Sequence, residues 1–173
     1  MCGLFSALIA VGAFIKIPIP VVPFTLQVLF TMLAALLLGA RLGALSVGIY
    51  VLIGLLGLPV FTKGGGLSYI FQPTFGYLIG FIVGAFVTGV IAHKKKDPTF
   101  KSMLVGSLMG LLIVYLFGTV YYYVMANYYL QQPVAVWTVF VYCFLVFIPG
   151  DVFSCFVASK LSLRLLPHLK QRG

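Results

Sequence analysis

One carboxylate stands inside apolar sequence near the end of the chain. Asp151 lies in "FIPGDVF", whereas Asp97, the only other acidic residue, lies in a polar stretch. An ionised carboxylate in an apolar cavity is strongly destabilised unless a partner compensates for the lost water. Two compatible roles fit this position. Asp151 could cap the start of a helix, or it could accept hydrogen bonds from the N–H groups of a ligand.

Thr25 and Gln27 are polar residues at the start of the second apolar segment. They follow the Pro-rich stretch "KIPIPVVPF", which cannot form a helix and which, at membrane depth, must be covered by protein or line a cavity. One interpretation is that Thr25 caps the next helix and Gln27 faces water. The alternative is that the Gln27 amide brings hydrogen-bond donors and an acceptor into a cavity.

The Gly-rich stretch "FTKGGGLSYIFQPTFGY" is a third place where binding chemistry could lie. Its consecutive glycines, Gly64, Gly65 and Gly66, either let the backbone approach a ligand closely or make a mobile loop. Lys63 either extends to the membrane interface, the favoured interpretation, or meets an anionic group of a ligand. Thr74 and Tyr77 are candidates for the same site, although Tyr77 could instead belong to an interfacial belt of aromatic residues.

The chain lacks the residues and motifs that several kinds of chemistry require. It contains no GxxxxGK[ST] phosphate loop and no GxGxxG fingerprint, and "KGGGLS" lacks the required Lys-Ser/Thr ending. The two histidines lie in basic loops, and the three cysteines have no metal-binding spacing. Two acidic residues cannot supply paired-carboxylate catalysis. We therefore expect no enzyme activity, no metal and no cofactor, and we expect any transport to be energised by another protein.

Composition indicates a membrane protein. Hydrophobic residues make up 62% of the chain, charged residues 8%, and the mean hydropathy is +1.18, whereas soluble domains contain about a quarter charged residues. Stretches such as "LFTMLAALLL" are apolar on all sides and lack the alternation of a membrane barrel. The prediction is a single all-α membrane domain over residues 1–173.

Six apolar segments predict spanning helices at about 2–16, 25–39, 42–58, 74–92, 101–126 and 150–166. The apolar region 133–166 would be roughly 50 Å long as one helix, against a hydrocarbon core of about 30 Å. A break at Pro149 and Gly150 is therefore predicted, with an additional extracellular-side helix at about 134–147. The first segment begins almost at Met1 without a basic leader, so we expect a short membrane helix with a few residues missing upstream.

The basic residues are unevenly distributed between the two sides that six spans would create. One side, which carries both termini, holds nine of the eleven Lys and Arg residues: Arg41, Lys94, Lys95, Lys96, Lys101, Lys160, Arg164, Lys170 and Arg172. The other side holds Lys16 and Lys63. Because cytoplasmic loops are enriched in Lys and Arg, both termini are predicted to be cytoplasmic. The Pro-rich stretch, the Gly-rich stretch and Asp151 then converge at the extracellular face.

The first segment carries small residues at helical spacing. Gly3 and Ala7 form one small-xxx-small pair and Ser6 and Ala10 form another. Such pairs allow helices to approach closely. The partner could be a helix of the same bundle or a helix of another protein, and the spacing alone favours neither.

Together, "GAFIKIPIPVVPFTLQ", "LPVFTKGGG", "PTFGYLIGF" and "FIPGD" closely resemble the BioY family, the biotin-specific substrate-binding (S) components of energy-coupling-factor (ECF) transporters. The resemblance is collinear over nearly the whole chain. It implies the six-helix S-component fold in the cell membrane, capture of biotin from outside, and partnership with a transmembrane coupling protein and two ABC ATPases. Asp151 matches the family acid that hydrogen-bonds the ureido ring. The first-helix residues Gly3, Ser6, Ala7 and Ala10 match the contact with the coupling protein.

This sequence departs from the family pattern at ligand-contacting positions. Ser154 stands where the family often has Lys, and the segments "KGGGL" and "GYLIG" lack an Asn and an Arg found in some members. The candidates left for the biotin carboxylate are Lys63, with Lys16 as the other cation on that side, or the backbone N–H groups of Gly64, Gly65 and Gly66. The departures keep two alternatives open: an S component for another vitamin, and a membrane scaffold that binds no small ligand.

Overall fold

The helices of this chain form one bundle, with a small ribbon of two strands at one end. The computed structural model describes residues 1–17, 23–94 and 98–170, with side chains as far as residue 167. The elements are α1 (Cys2–Phe14), β1 (Lys16–Ile17), β2 (Phe24–Thr25), α2 (Gln27–Leu55), α3 (Phe75–Ala92), α4 (Phe100–Val124), α5 (Val136–Phe140) and α6 (Ile148–Lys170). A 3₁₀ turn covers Leu67–Phe71, and π-helical turns cover Met125–Tyr129 and Val141–Leu145.

Helix α2 reverses direction at Gly39. This glycine has φ 83° and ψ 179°, a conformation outside the helical region that L-residues with a side chain rarely adopt. A Cβ atom placed at Gly43 would lie 2.6 Å from the Cα of Ala35, although eight residues of continuous helix span about 12 Å. The halves 27–38 and 40–55 therefore pack against each other as antiparallel helices. The reversal lies where the sequence predicts a turn between segments 25–39 and 42–58.

Four helical stretches in the described part of the chain are long and apolar enough to cross a membrane. They are Gln27–Leu55, Phe75–Ala92, Phe100–Tyr129 and Val136–Pro167. The prediction of six spanning helices is thus met in part, for two reasons. Helix α1 has only 13 residues, and α2 counts as one stretch despite its reversal.

The break before the last helix comes earlier than predicted. The chain turns at Val146 and Phe147, and α6 begins at Ile148, so that Pro149 is its second residue. Proline is tolerated in the first turn of a helix because its missing N–H would have no helical partner there. The helix therefore starts before the Pro-Gly pair rather than after it, and the predicted segments 134–147 and 150–166 shift accordingly.

The strands β1 and β2 correct the purely helical prediction in a small way. They pair antiparallel, with Lys16 opposite Thr25 and Ile17 opposite Phe24. The prolines of "IPIPV" lie outside the described residues, but their flanks form this ribbon. It brings Phe24 against α6, where a Cβ atom at Gly150 would lie 2.5 Å from the Phe24 ring. A side chain at position 150 would therefore have to displace the Phe24 ring.

Glycines allow α3 and α4 to pack at close range. A Cβ atom at Gly84 would lie 2.7 Å from the carbonyl oxygen of Gly110, and one at Gly110 would lie 2.7 Å from the carbonyl oxygen of Gly84. About two turns away on each helix, a Cβ atom at Gly118 would collide with the ring of Tyr77. Where no water drives helices together, such close backbone contact supplies much of the packing energy. We call Gly84, Gly110 and Gly118 the glycine seam.

The small residues of α1 do not share one role. Ser6 is buried, and its hydroxyl donates to the carbonyl oxygen of Ser46 at 2.6 Å. Gly3 and Ala7 are exposed, and Ala10 is half-buried. Ser6 therefore packs inside this bundle, whereas Gly3 and Ala7 lie on an outer face of α1.

Candidate functional site

A cavity lies at the end of the bundle where the ribbon, the Gly-rich loop and the first turn of α6 meet. Its empty volume, including the open space at its mouth, is about 590 Å³. Its wall consists of Pro23, Phe24, Thr25, Gln27, Val28, Tyr50, Thr62, Tyr69, Thr74, Tyr77, Leu78, Phe81, Val114, Tyr115, Phe147 and Asp151. The predicted site residues Thr25, Gln27, Thr74, Tyr77 and Asp151 are thus brought together by the fold.

Asp151 presents a carboxylate to this cavity. It is only 4% exposed, and its Oδ2 accepts a hydrogen bond of 2.6 Å from the hydroxyl of Tyr115 on α4. Within the described residues the other oxygen, Oδ1, makes no hydrogen bond and no cation pairs with it. A buried carboxylate with a free oxygen has acceptor capacity that a ligand donor can use.

Asp151 is the fourth residue of α6 and not its N-cap. Its backbone N–H donates to the carbonyl oxygen of Phe147 at 2.9 Å, so Asp151 already belongs to the helical hydrogen-bond ladder. Asp151 is therefore not the N-cap, whereas the prediction that it lies in the first turn of the last helix is confirmed. Proximity to the helix N-terminus still favours a negative charge at this position.

Gln27 joins a chain of polar groups along one wall. The Thr25 hydroxyl donates to Gln27 Oε1 at 3.2 Å, Gln27 Nε2 donates to the Tyr50 hydroxyl at 2.9 Å, and that hydroxyl donates to the carbonyl oxygen of Val60 at 3.1 Å. Gln27 is only 4% exposed, so the interpretation that it faces water is wrong. Thr25 lies on β2 and the N-cap of α2 is Leu26. The Gln27 amide keeps one donor and one acceptor position for a ligand.

A second chain of polar groups also belongs to the wall. The Tyr69 hydroxyl lies 3.1 Å from the Thr62 hydroxyl and 3.3 Å from the Thr74 hydroxyl. Tyr77 is buried, and its hydroxyl donates to the carbonyl oxygen of Cys143 at 2.8 Å. Tyr77 therefore belongs to the cavity wall and not to an interfacial belt.

The remaining wall is apolar. Phe24 and Phe147 stack with ring centroids 6.4 Å apart and an interplanar angle of 10°. Val28, Leu78, Phe81 and Val114 complete this surface. The arrangement suits a ligand with an extensive apolar body and a few hydrogen-bonding groups at one end.

The three consecutive glycines fold a loop rather than line the cavity. Gly66 N–H donates to Gly54 O at 2.7 Å and Gly64 N–H donates to Phe61 O at 3.2 Å. A Cβ atom at Gly65 would collide with the carbonyl oxygen of Leu58. Two of the three N–H groups are therefore already used, which removes Gly64 and Gly66 as candidates for an anionic group of a ligand.

Lys63 also lies outside the cavity wall. It occupies, with Thr62, a tight turn between Phe61 and Gly64, and its side chain is exposed. The loop is anchored instead by Phe61, whose buried ring packs on Tyr50 and Tyr69. Of the residues predicted in this stretch, Thr74 and Tyr77 line the cavity, whereas Lys63 and the three glycines do not.

Three tyrosines of the wall were missed by the sequence prediction: Tyr50, Tyr69 and Tyr115. A signal for Tyr115 was available in α4. Ser107, Leu111, Tyr115 and Gly118 follow each other at intervals of four, four and three residues, and all are buried. This spacing places them on one helix face, so Tyr115 had to face the bundle and could not belong to an outer aromatic belt.

The fold and the site define a class of protein: a helical membrane protein that holds a small molecule in a largely apolar cavity, beside one carboxylate. The comparison with known families identifies the class further. The chain belongs to the BioY family, whose sequence model matches residues 1–171.

Individual relatives agree with this assignment. A probable biotin transporter BioY of Lysinibacillus sphaericus is 47% identical over 165 residues, covering 95% of this chain and 84% of that protein. The biotin transporter BioY of Thermotoga maritima is 43% identical over 167 residues, covering 94% and 92%. A crystal structure of the S-component for biotin from an ECF-type ABC transporter matches with a TM-score of 0.82 and 30% identity, covering 95% of this chain and 87% of that one.

Proposed function

We propose that this protein captures biotin in the cavity beside Asp151 and takes it up as the S component of an ECF-type ABC transporter. The observation that carries the proposal is the free Oδ1 of a buried carboxylate in the wall of a largely apolar cavity. The biotin relatives and the biotin S-component structure support the choice of ligand.

The chemistry of biotin complements the cavity. Its ureido ring offers N–H donors, and a carboxylate accepts without donating, so Asp151 suits that end of the molecule. The fused sulfur-containing ring and aliphatic chain would pack against Phe24, Phe81 and Phe147. Gln27 and Thr74 are further hydrogen-bonding groups of the wall, and Thr25 and Tyr77 hold it in place through their own hydrogen bonds.

The mouth of the cavity faces the outside of the cell in this proposal, with six crossings and both termini cytoplasmic. The reversal at Gly39 supports the number of crossings, because it divides α2 into two antiparallel helices. The described basic residues support the orientation. Arg41, Lys94, Lys101, Lys160 and Arg164 lie toward helix ends remote from the cavity, and Lys16 and Lys63 lie at the cavity end.

Partner proteins supply the energy in this proposal, since the sequence has no phosphate loop of its own. The partners are a transmembrane coupling protein and two ABC ATPases. The exposed Gly3 and Ala7 of α1, with half-buried Ala10, offer a surface where a partner helix can approach closely. Ser6 supports this surface from inside through its bond to Ser46.

Ligand-induced stabilisation tests the proposed ligand directly. The purified protein in detergent is heated with each member of a vitamin panel, and a ligand that binds only the folded state raises the melting temperature. We expect the largest rise with biotin. No rise with biotin at about 1 mM would overturn the proposal; a larger rise with another vitamin would indicate an S component for that vitamin, and no rise with any member would favour a scaffold.

Tyr115→Phe is expected to weaken biotin binding about tenfold, since a hydrogen bond to a charged group contributes about 1.5–3 kcal/mol. The change removes the hydroxyl that orients Asp151 and keeps the ring that packs on Phe144. Isothermal titration measures the dissociation constant. Tyr128→Phe, at an exposed position outside the cavity, is the matched control. Equal affinity of the two variants would contradict an orienting role for Tyr115.

A further inference from the structure

The cavity has a charged group at one end only. Among the described residues, its wall contains the carboxylate of Asp151 and no Lys or Arg. A ligand that also carries a negative group cannot place it near Asp151, because two carboxylates in a buried site repel each other. The negative end of such a ligand must therefore lie toward the mouth, where a cation would stabilise it.

Lys16 stands at the edge of the cavity between two of its walls. Its Cα is paired with that of Thr25 across the ribbon, and its Nζ donates to the carbonyl oxygen of Thr62 at 3.0 Å. Thr25 and Thr62 both line the cavity. The ammonium group therefore bridges the ribbon and the Gly-rich loop at the rim.

The Lys16 ammonium has hydrogen-bond donors that the described residues do not use. It is solvent-exposed, and within the described residues its one acceptor is the neutral carbonyl oxygen of Thr62. An ammonium group has three donors, so two remain for a ligand anion. A charge-assisted hydrogen bond to a carboxylate is stronger than one to a neutral carbonyl.

We propose that Lys16 is a specificity-determining residue that binds the carboxylate of the ligand at the rim between Thr25 and Thr62. The inference rests on the proposed function and deepens it. The ligand lies lengthwise, with its N–H donors at Asp151 and its negative end at Lys16. The cavity thereby selects acids over neutral analogues of the same shape.

Lys63 provides the matched control. It is adjacent to Thr62 in sequence and exposed like Lys16, so both lysines contribute to the positive charge at this end of the bundle. Of the two lysines, Lys16 is the one whose ammonium donates a described hydrogen bond to a residue of the cavity wall, Thr62. A general effect of positive charge on an anionic ligand would appear in both variants, whereas a specific contact would appear in one.

The experiment compares biotin with biotin amide, which lacks the negative charge, for the parent protein, Lys16→Met and Lys63→Met. We expect the parent and Lys63→Met to bind biotin about tenfold more tightly than the amide. Lys16→Met should bind both ligands as the parent binds the amide, and Lys16→Arg should keep the preference. The preference of the parent should also decrease at high salt, because the contact is exposed.

Two results would overturn the inference alone. Lys16→Met could keep the preference for biotin, or it could lose affinity equally for biotin and the amide, which would mean that Lys16 only ties the ribbon to Thr62. Absence of biotin binding by the parent protein would overturn the proposed function and this inference together.

Discussion

Asp151→Asn should weaken biotin binding about a hundredfold or more and leave the ligand-free protein at least as stable as the parent. The asparagine side chain has nearly the same shape, but it turns one acceptor oxygen into a donor NH₂ group that faces ligand N–H donors. Removing one partner of a buried charge-assisted contact costs about 2–5 kcal/mol in affinity, and about 1.4 kcal/mol corresponds to tenfold.

The expected stability follows from the surroundings of the carboxylate. In the ligand-free protein Asp151 is buried with one described side-chain hydrogen bond, from Tyr115. A buried charge with so little compensation destabilises the folded state. Asparagine removes the charge and its Oδ1 can still accept from Tyr115. Opposite changes of affinity and stability are typical of a residue retained for binding rather than for folding.

Titration calorimetry and the melting temperature of the ligand-free protein measure the two effects separately. Ser154→Ala is a suitable control on the same helix, because Ser154 is buried, bonds to the carbonyl oxygen of Gly150 and does not line the cavity. Unchanged biotin affinity in Asp151→Asn would remove Asp151 from the site. A large fall in melting temperature would assign it a structural role instead.

Unusual residues in apolar sequence were the most informative signals for the site. Aspartate and glutamine are rare in membrane helices, and Asp151 and Gln27 were predicted as site residues for that reason. Tyr50 and Tyr115 were missed because tyrosine is common in such helices, and only three-dimensional proximity gives their hydroxyls partners. A polar group that is ordinary in its own helix is recognised as part of a site only when its partner on another helix is known.

Glycines in the sequence predicted a turn of the chain correctly, but they did not reveal what a glycine-rich loop does. "LGARLG" predicts the reversal that Gly39 makes. In the sequence, the glycines after Lys63 equally fit a loop that approaches a ligand and a mobile loop, and neither interpretation includes the packing that they make. Their sequence carries no information on Leu58 and Gly54, the residues against which they pack. The same limit applies to Ser6, whose neighbour Ser46 is distant in sequence.

Gly110→Leu should lower the free energy of unfolding by about 3 kcal/mol or more. Most of the variant protein is then expected to be unfolded. A side chain at this position meets the carbonyl oxygen of Gly84 and the side chain of Thr88. The carbonyl belongs to the backbone of α3 and cannot rotate away. The helices would have to separate along the glycine seam, where close approach supplies the packing energy.

Gly48→Leu is the matched control. Gly48 is also in a helix, and a Cβ atom there would meet no atom within 4 Å. Leucine has a higher helix propensity than glycine, so Gly48→Leu should be neutral or slightly stabilising. The melting temperature in detergent and the monodisperse fraction on gel filtration distinguish the variants. Equal stability of Gly110→Leu and Gly48→Leu would show that the seam does not hold α3 and α4 together.

The seam also connects stability to the cavity. Tyr115 lies little more than one turn beyond Gly110 on α4, and the ring of Tyr77 on α3 fits against Gly118. A separation of α3 from α4 would therefore displace the hydroxyl that holds Asp151 and open the wall that contains Tyr77. Gly84→Leu acts on the same contact from the other helix. Its effect should therefore not add fully to that of Gly110→Leu in the double variant. Additive losses would place the two glycines in separate contacts and would contradict a shared seam between α3 and α4.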